Sequence, residues 1–242
     1  MNSSQAFVKN TTAILFVMND IARDIEDEFN DWYDTQHVPE RLSIDGFLSA
    51  SRWHALGHSQ AYMATYHCKG IETLEQSAYL ERLENPTPWT REIMPHFSNV
   101  VRSVCHETWM QGADVGTHAI VIRCVPQAGM QTQGRDLLIR TLTDYIATNA
   151  SITRVALWEA AGGLVAQASP EEALRGEIDQ RVSWVVFIQC AGLVDPSVQI
   201  NMSSWFESAD FKASLSLEAC AQYQRLSQHN AQPFKSSTEL GH

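Results

Sequence analysis

The stretch Thr12-Ala13-Ile14-Leu15-Phe16-Val17-Met18 decides the fold. Side chains alternate between the two faces of a strand, and from Ala13 onward both faces of this one are apolar. Such a run reads as a strand buried on both sides. Residues 119–125 and 183–188 have the same character. Each predicts a sheet that carries helices on one face and leaves apolar surface bare on the other. A second sheet packed about 10 Å away covers such a face. The simplest second sheet is the other half of the same chain. Any gap between the sheets would be a pocket; a solid core is the alternative, and composition does not choose between them.

Outward from that strand, one order of elements occurs twice. After an acidic loop, Ile25, Phe29, Trp32, Tyr33 and Gln36 recur at helical spacing and predict a helix over 25–36. Asp24, Glu26 and Asp27 suit the positive end of its dipole. Pro39 disfavours helical backbone at Val38, so the helix should kink or restart there. Strands follow at 47–56 and 61–68 around a Gly57-His58-Ser59 turn, then a helix at 72–83, a Pro-rich loop at 85–89 and a strand at 100–109. The second half gives a strand at 118–125, a helix at 134–147, and strands at 153–160 and 182–190 separated by a linker over 162–180. A helix at 205–217 and a last strand at 222–228 complete it. Strand, helix, strand, strand, helix, strand is the split βαβ, or ferredoxin-like, arrangement. The expected fold class is therefore α+β: two tandem ferredoxin-like βαββαβ repeats, residues 12–111 and 117–230, packed sheet to sheet as one intrachain barrel. Gln111-Gly112-Ala113-Asp114-Val115-Gly116 is the seam.

The 242 residues are 44% hydrophobic and 19% charged, an ordinary globular balance. A net charge of -11 argues against nucleic acid as a partner, which would need a basic footprint. No apolar run reaches the roughly 18 residues of a membrane span. The N-terminus lacks a basic stretch leading into an apolar one, so neither a signal peptide nor a membrane partner is expected. Five cysteines without a CxxC pair fit a reduced compartment, and the expected location is cytoplasmic.

The densest chemistry lies in Phe29-Asn30-Asp31-Trp32-Tyr33-Asp34-Thr35-Gln36-His37-Val38-Pro39-Glu40-Arg41-Leu42. Six of the nine histidines precede residue 112, which favours the first half as the one that carries the site. Tyr33 and His37 are four apart and so neighbours on one helix face, and Asp34 is placed to orient the imidazole. The structural alternative is that His37 packs at the helix C-terminus, where a cationic ring is favoured. On the second strand Arg52 and His54 share a face; burial would demand partners or a pocket. Arginine offers a planar fork for a carboxylate or enolate oxygen. A water-exposed edge is the alternative there. His67 and Cys68 are adjacent on a strand, face opposite ways and cannot form a Cys–His pair. There is no HExxH pattern, glycine-rich phosphate loop or GxSxG elbow, and no metal site is expected.

Phe29-Asn30-Asp31-Trp32-Tyr33, His37-Val38-Pro39-Glu40-Arg41, Gly46-Phe47-Leu48-Ser49-Ala50 and Arg52-Trp53 together resemble the EthD-like branch of the dimeric α+β barrel superfamily. Pro88-Trp89-Thr90-Arg91, with Pro95 and Phe97, extends the resemblance over about residues 12–110; the second half resembles it in element order alone. In that superfamily a single ferredoxin-like domain usually dimerises through its sheet, so this chain looks like a fused, two-repeat version. The resemblance implies a pocket between helix and sheet, with a His or Tyr moving protons, and His37 best matches the characteristic His. It spans lactone isomerases, polyketide cyclases, cofactor-free quinone-forming monooxygenases and haem enzymes such as chlorite dismutases. His54 and Cys68 stand where methylmuconolactone-type isomerases carry a His and a Cys.

The expectation that follows is a cofactor-independent isomerase or lyase, cyclase-like, acting by proton transfer on a small oxo-acid, lactone or aromatic-derived metabolite, as in catabolism of aromatic compounds. His37 would be the base and acid, Tyr33 the donor to the enolate oxygen, and His54 a second proton carrier. Arg52 or Arg41, with Trp32, Trp89 and Cys68, would bind the substrate. The alternatives are a haem-binding oxidoreductase of the same superfamily and a non-enzymatic binding or accessory protein. No cofactor is expected in the main reading, with haem in the first alternative. Expected partners are a small-molecule substrate and, left open, a second copy of the chain in a homodimer.

Overall fold

Ala13–Ile21 forms β1, apolar on both faces, and it pairs antiparallel on both edges. One neighbour is β3 (Tyr62–Cys68) and the other β4 (Phe97–Gly112). The computed structural model describes residues 12–57, 60–163, 168–193, 202 and 204–232. Within them β2 (Phe47–Ala55) completes the first sheet, and β5 (His118–Pro126), β6 (Ile152–Ala160), β7 (Trp184–Cys190) and β8 (Leu215–Asn230) form the second. The order around the closed barrel is β1-β3-β2-β8-β5-β7-β6-β4. Each half thus runs fourth, first, third, second, and the halves join at β2–β8 and β4–β6. Closure leaves neither sheet with an open edge. This is the dimeric α+β barrel fold built within one chain.

The pleat of β1 sorts its apolar residues. Ile14, Phe16 and Met18 enter the lumen with Trp53, Trp158, Phe187 and Tyr223. Leu15 faces outward under the first-half helices, beside Phe29 and Trp32. Trp158 stacks on Phe187 with ring centroids 4.5 Å apart, and Phe16 meets Trp158 at 6.0 Å. Aromatic rings therefore fill the middle of the space between the sheets, and Glu107, Arg154 and His67 lie around Trp158 in the same space.

The helices differ from expectation in instructive ways. The first is α1 (Glu26–Trp32), then a π turn (Tyr33–His37), then α2 (Val38–Leu42). Val38 stays helical at φ -64 and ψ -49 despite Pro39. Pro39 has no N–H to donate, and one widened turn absorbs the fault without breaking the rod. The helix expected over 72–83 is a 3-10 turn (Ile71–Leu74) followed by α3 (Ser77–Glu84). The Pro-rich loop leads directly into α4 (Pro88–Ile93): Pro88 starts it, and the Thr87 hydroxyl accepts from the Thr90 N–H at 3.1 Å. In the second half α5 (Gln131–Thr148) is as expected. The supposed linker contains α6 (Pro170–Arg175), and the helix expected over 205–217 shortens to α7 (Ala209–Ser214) because Leu215 already begins β8. His58 and Ser59 of the expected turn lie outside the described residues.

The excursion that carries α6 is tied at both ends to β4 of the first half. Ala161 N–H donates to Val104 O at 2.8 Å, Gln180 N–H to Val100 O at 2.8 Å, and Arg102 N–H to Gln180 O at 3.0 Å. Second-half residues are thereby laid over the first-half helices. Among the described residues no helix is long and apolar enough to cross a membrane.

Candidate active site

The π turn aims Tyr33 and His37 at the outer face of the first sheet. His37 is 6% exposed. Its ring packs on Trp32 with centroids 4.4 Å apart, and meets Tyr33 at 5.1 Å and Tyr66 of β3 at 6.5 Å. Arg41, one turn on, pairs with Glu171 of α6 at 2.5 Å and lies 5.6 Å from the ring centre of Tyr79 on α3. Beneath Tyr33 the Arg52 guanidinium lies 4.5 Å from the ring centre. Both halves therefore build this place.

Two buried polar atoms here have no hydrogen-bond partner, His37 Nδ1 and Arg41 Nη1, and the Tyr66 hydroxyl has only the Tyr33 phenol beside it. Buried polar groups are nearly always satisfied, so a pair of open ones marks a place made for something else. Burial above all, then the charges of Arg41, Arg52 and Arg175, hold the His37 imidazole well below its usual 6.5. The ring is neutral, and the same burial and arginine charges oppose its protonation, so a proton it takes must be offset by an anion formed beside it. Burial likewise pushes the Tyr33 and Tyr66 phenols above 10, so both remain donors. A neutral base, phenol donors and a buried cation with a spare N–H can take a proton and hold the anion left behind.

The other expected residues are distributed as follows. Asp34 does not touch His37; it accepts from Arg52 Nη1 at 2.8 Å and from the Ser227 hydroxyl at 2.8 Å, with His229 at 3.5 Å. Arg52 also donates to Asn30 Oδ1 at 2.6 Å, so its fork is spent on the protein, and it positions Tyr33 without offering a substrate clamp. His54 faces Tyr62 at 5.2 Å. Tyr62 and Tyr66 are four residues apart, about 13 Å along the strand, so His54 is no partner for His37. Trp32 is in place and donates to Thr90 Oγ1 at 3.2 Å. Trp89 sits half-exposed on the outer rim, its N–H on Glu28 at 3.0 Å. Cys68 is fully buried between Ala13 and Phe47, and burial pushes its thiol far up; it is a core residue. His67 faces the lumen and Trp158, opposite Cys68 as its position requires. His37, Tyr33, Trp32 and Arg41 thus come together, Arg52 lies beneath them, and His54, Trp89 and Cys68 stand apart.

Sequence reasoning missed Tyr66, Tyr79, Arg102, Ser169 and Glu171. Tyr66 shares the face of Cys68 two residues on, which was legible. Pro170 and a left-handed Gly176 (φ +75) bracket a short helix, a signal that could have found α6. Tyr79 also lines a cavity of about 180 Å³ bounded by α3, β4 and residues 168–170.

Haem, which the superfamily resemblance allows, needs an axial donor with open space beside it. His37 is packed on Trp32 and beside Tyr33 and Tyr66, so a macrocycle would have to displace several aromatic rings to reach it, a demand that a small compound approaching Nδ1 does not make. The outer face of the second sheet is filled by Leu138, Leu142, Trp184 and Phe211. His118 touches Thr117 Oγ1 at 3.0 Å and His229 looks to Asp34. These donors do not fit a haem. Among the described residues no group of three or more His, Cys, Asp and Glu is placed to hold a metal.

No known family model and no curated protein matches the chain. Solved structures do match it in shape. An anthrone oxidase-like protein superposes with TM-score 0.60 at 10% identity, covering 92% of this chain and 94% of that one. A candidate monooxygenase from Fusobacterium nucleatum gives 0.55 at 9%, covering 91% and 94%. Chlorite dismutase from Candidatus Nitrospira defluvii, in complex with imidazole, gives 0.54 at 13%, covering 90% and 92%. At such identities the likeness establishes the fold and leaves activity to the site.

Proposed function

We propose that this protein is an oxidoreductase that removes a proton from an acidic carbon of a small aromatic-derived oxo compound and delivers the resulting anion to dioxygen. His37 Nδ1 takes the proton, and the electron pair moves onto the substrate oxygen. Arg41 Nη1 and the Tyr66 hydroxyl donate to that oxygen. Dioxygen then oxidises the carbon: a C–O bond forms and the O–O bond breaks. A methylene group and one dioxygen give a carbonyl group, which keeps one oxygen atom, and one water, which takes the other oxygen with both methylene hydrogens. The observation that carries this reading is the pair of unpartnered buried polar atoms, Nδ1 of a neutral His37 and Nη1 of Arg41 one turn on, with the Tyr66 ring 6.5 Å from the imidazole. The EthD-like resemblance of residues 12–110 is consistent with it. The anthrone oxidase-like and monooxygenase-like neighbours weigh toward oxidation and give no support to the isomerase or lyase expectation.

Oxygen uptake on an electrode, with anthrone as the probe carbon acid, tests it. A positioned base contributes about 10²–10⁴-fold, so His37→Gln should lower turnover at least about 100-fold with folding unchanged. Undiminished turnover in that variant removes His37 from the reaction. Deuterium exchange at the substrate carbon without oxygen uptake would return the site to isomerase chemistry, and tight binding with neither would make it a binding protein.

A further inference from the structure

Five arginines are buried among the described residues: Arg41, Arg52, Arg102, Arg154 and Arg175. Four have a carboxylate: Arg41 has Glu171, Arg52 has Asp34, Arg154 has Glu107 and Arg175 has Asp179. Arg102, 6% exposed, has none within ion-pair distance among the described residues. Its one side-chain bond is from Nη2 to the Tyr79 hydroxyl at 3.0 Å. The carboxylates nearest it in the fold, Glu171 and Asp179, are engaged by Arg41 and Arg175. Glu171 and Asp179 support the Arg102 charge from a distance, but no carboxylate takes its fork directly, which leaves donors for a bound anion.

Arg102 opens onto the cavity of about 180 Å³. A second polar group on that wall, the Ser169 hydroxyl, is buried and has no partner. The rest is largely apolar, with Leu74, Leu83, Val104 and Pro170, and Glu75 stands solvent-exposed on the rim. We propose that this cavity binds a small monocarboxylate with a compact apolar body. The planar fork of Arg102 takes the carboxylate, Ser169 donates to the same group, and the leucines and Val104 enclose the hydrocarbon. Apolar walls and small volume suit a carboxylate better than a phosphate. Tyr79 lines the cavity and neither Arg41 nor His37 does, so the proposal does not rest on the oxidation above.

Titration calorimetry on the full chain, with benzoate as probe and benzamide as its uncharged counterpart, decides the matter. Benzoate should bind at least about 10-fold more tightly than benzamide, a gap of about 1.4 kcal/mol. Ser169→Ala should weaken benzoate about 2–10-fold, the range of one neutral hydrogen bond, and Arg102→Met should abolish its binding. Should Arg102→Met fail to fold, Leu80→Trp, at an exposed position on the cavity wall, should block the site with stability intact. His37→Gln should leave benzoate binding unchanged, which separates this site from the catalytic reading. No benzoate heat, equal binding of benzamide, or binding that survives both Arg102→Met and Leu80→Trp overturns the proposal.

Discussion

A histidine surrounded by guanidinium groups stays neutral where a free one would begin to charge, and this chain has two such rings. His37 is held well below 6.5, and His67, facing the lumen near Arg154, is brought down to about 4, burial being the larger cause in both. The unfolded chain protonates these residues below pH 6.5, whereas the folded protein does not. Stability is therefore full above pH 6.5 and falls as pH drops toward 4. Urea midpoints at pH 7 and pH 4.5 should show that fall, and His67→Gln should make it shallower; identical midpoints for the wild-type chain would contradict the buried neutral rings. At this scale Tyr33, His37, Trp32 and Arg41 were legible, because helical spacing survives a π turn. The loss of Asp34 to Arg52 was not, because an i,i+3 neighbour says nothing of the strand beneath.

Elements were legible in kind and less so in extent. The run over 12–18 is a strand because its composition suits nothing else, yet β1 extends to Ile21 and β4 reaches 16 residues to span the join between halves. β8, half-exposed and polar at alternate positions, has too weak an apolar signal to show its length; pairing with both β2 and β5 imposes it. The β4–β6 join ends at Gly112, at φ +95, where a Cβ would lie 2.2 Å from the Thr153 carbonyl oxygen. Gly112→Ala combines a disfavoured backbone with a backbone clash and should cost about 2–3 kcal/mol, measured by urea unfolding. A loss below about 0.5 kcal/mol would mean the join does not need that glycine. α6 went unseen because a six-residue helix has no periodicity to read, only its Pro and Gly brackets.

At the scale of the whole molecule, aromatic rings fill the middle of the lumen, and the candidate site lies where the outer face of one sheet is not covered by the helices of its own half. The first-half face is incomplete and α6 of the second half finishes it; the second-half face is packed with Leu138, Leu142, Trp184 and Phe211. Hemin titrated into the purified protein should therefore give no new Soret band, and a stoichiometric one would refute the packing argument. Local pattern in the chain was enough for the order of elements, the two-faced burial of β1 and the helix face that bears Tyr33 and His37, because periodicity and composition act over a few residues. It took the folded arrangement to bring Glu171 to Arg41, to leave Arg102 without a carboxylate, and to put the hollow outside the barrel. Those outcomes depend on which distant residues meet, up to 130 positions apart for Arg41 and Glu171, and no short-range pattern encodes that.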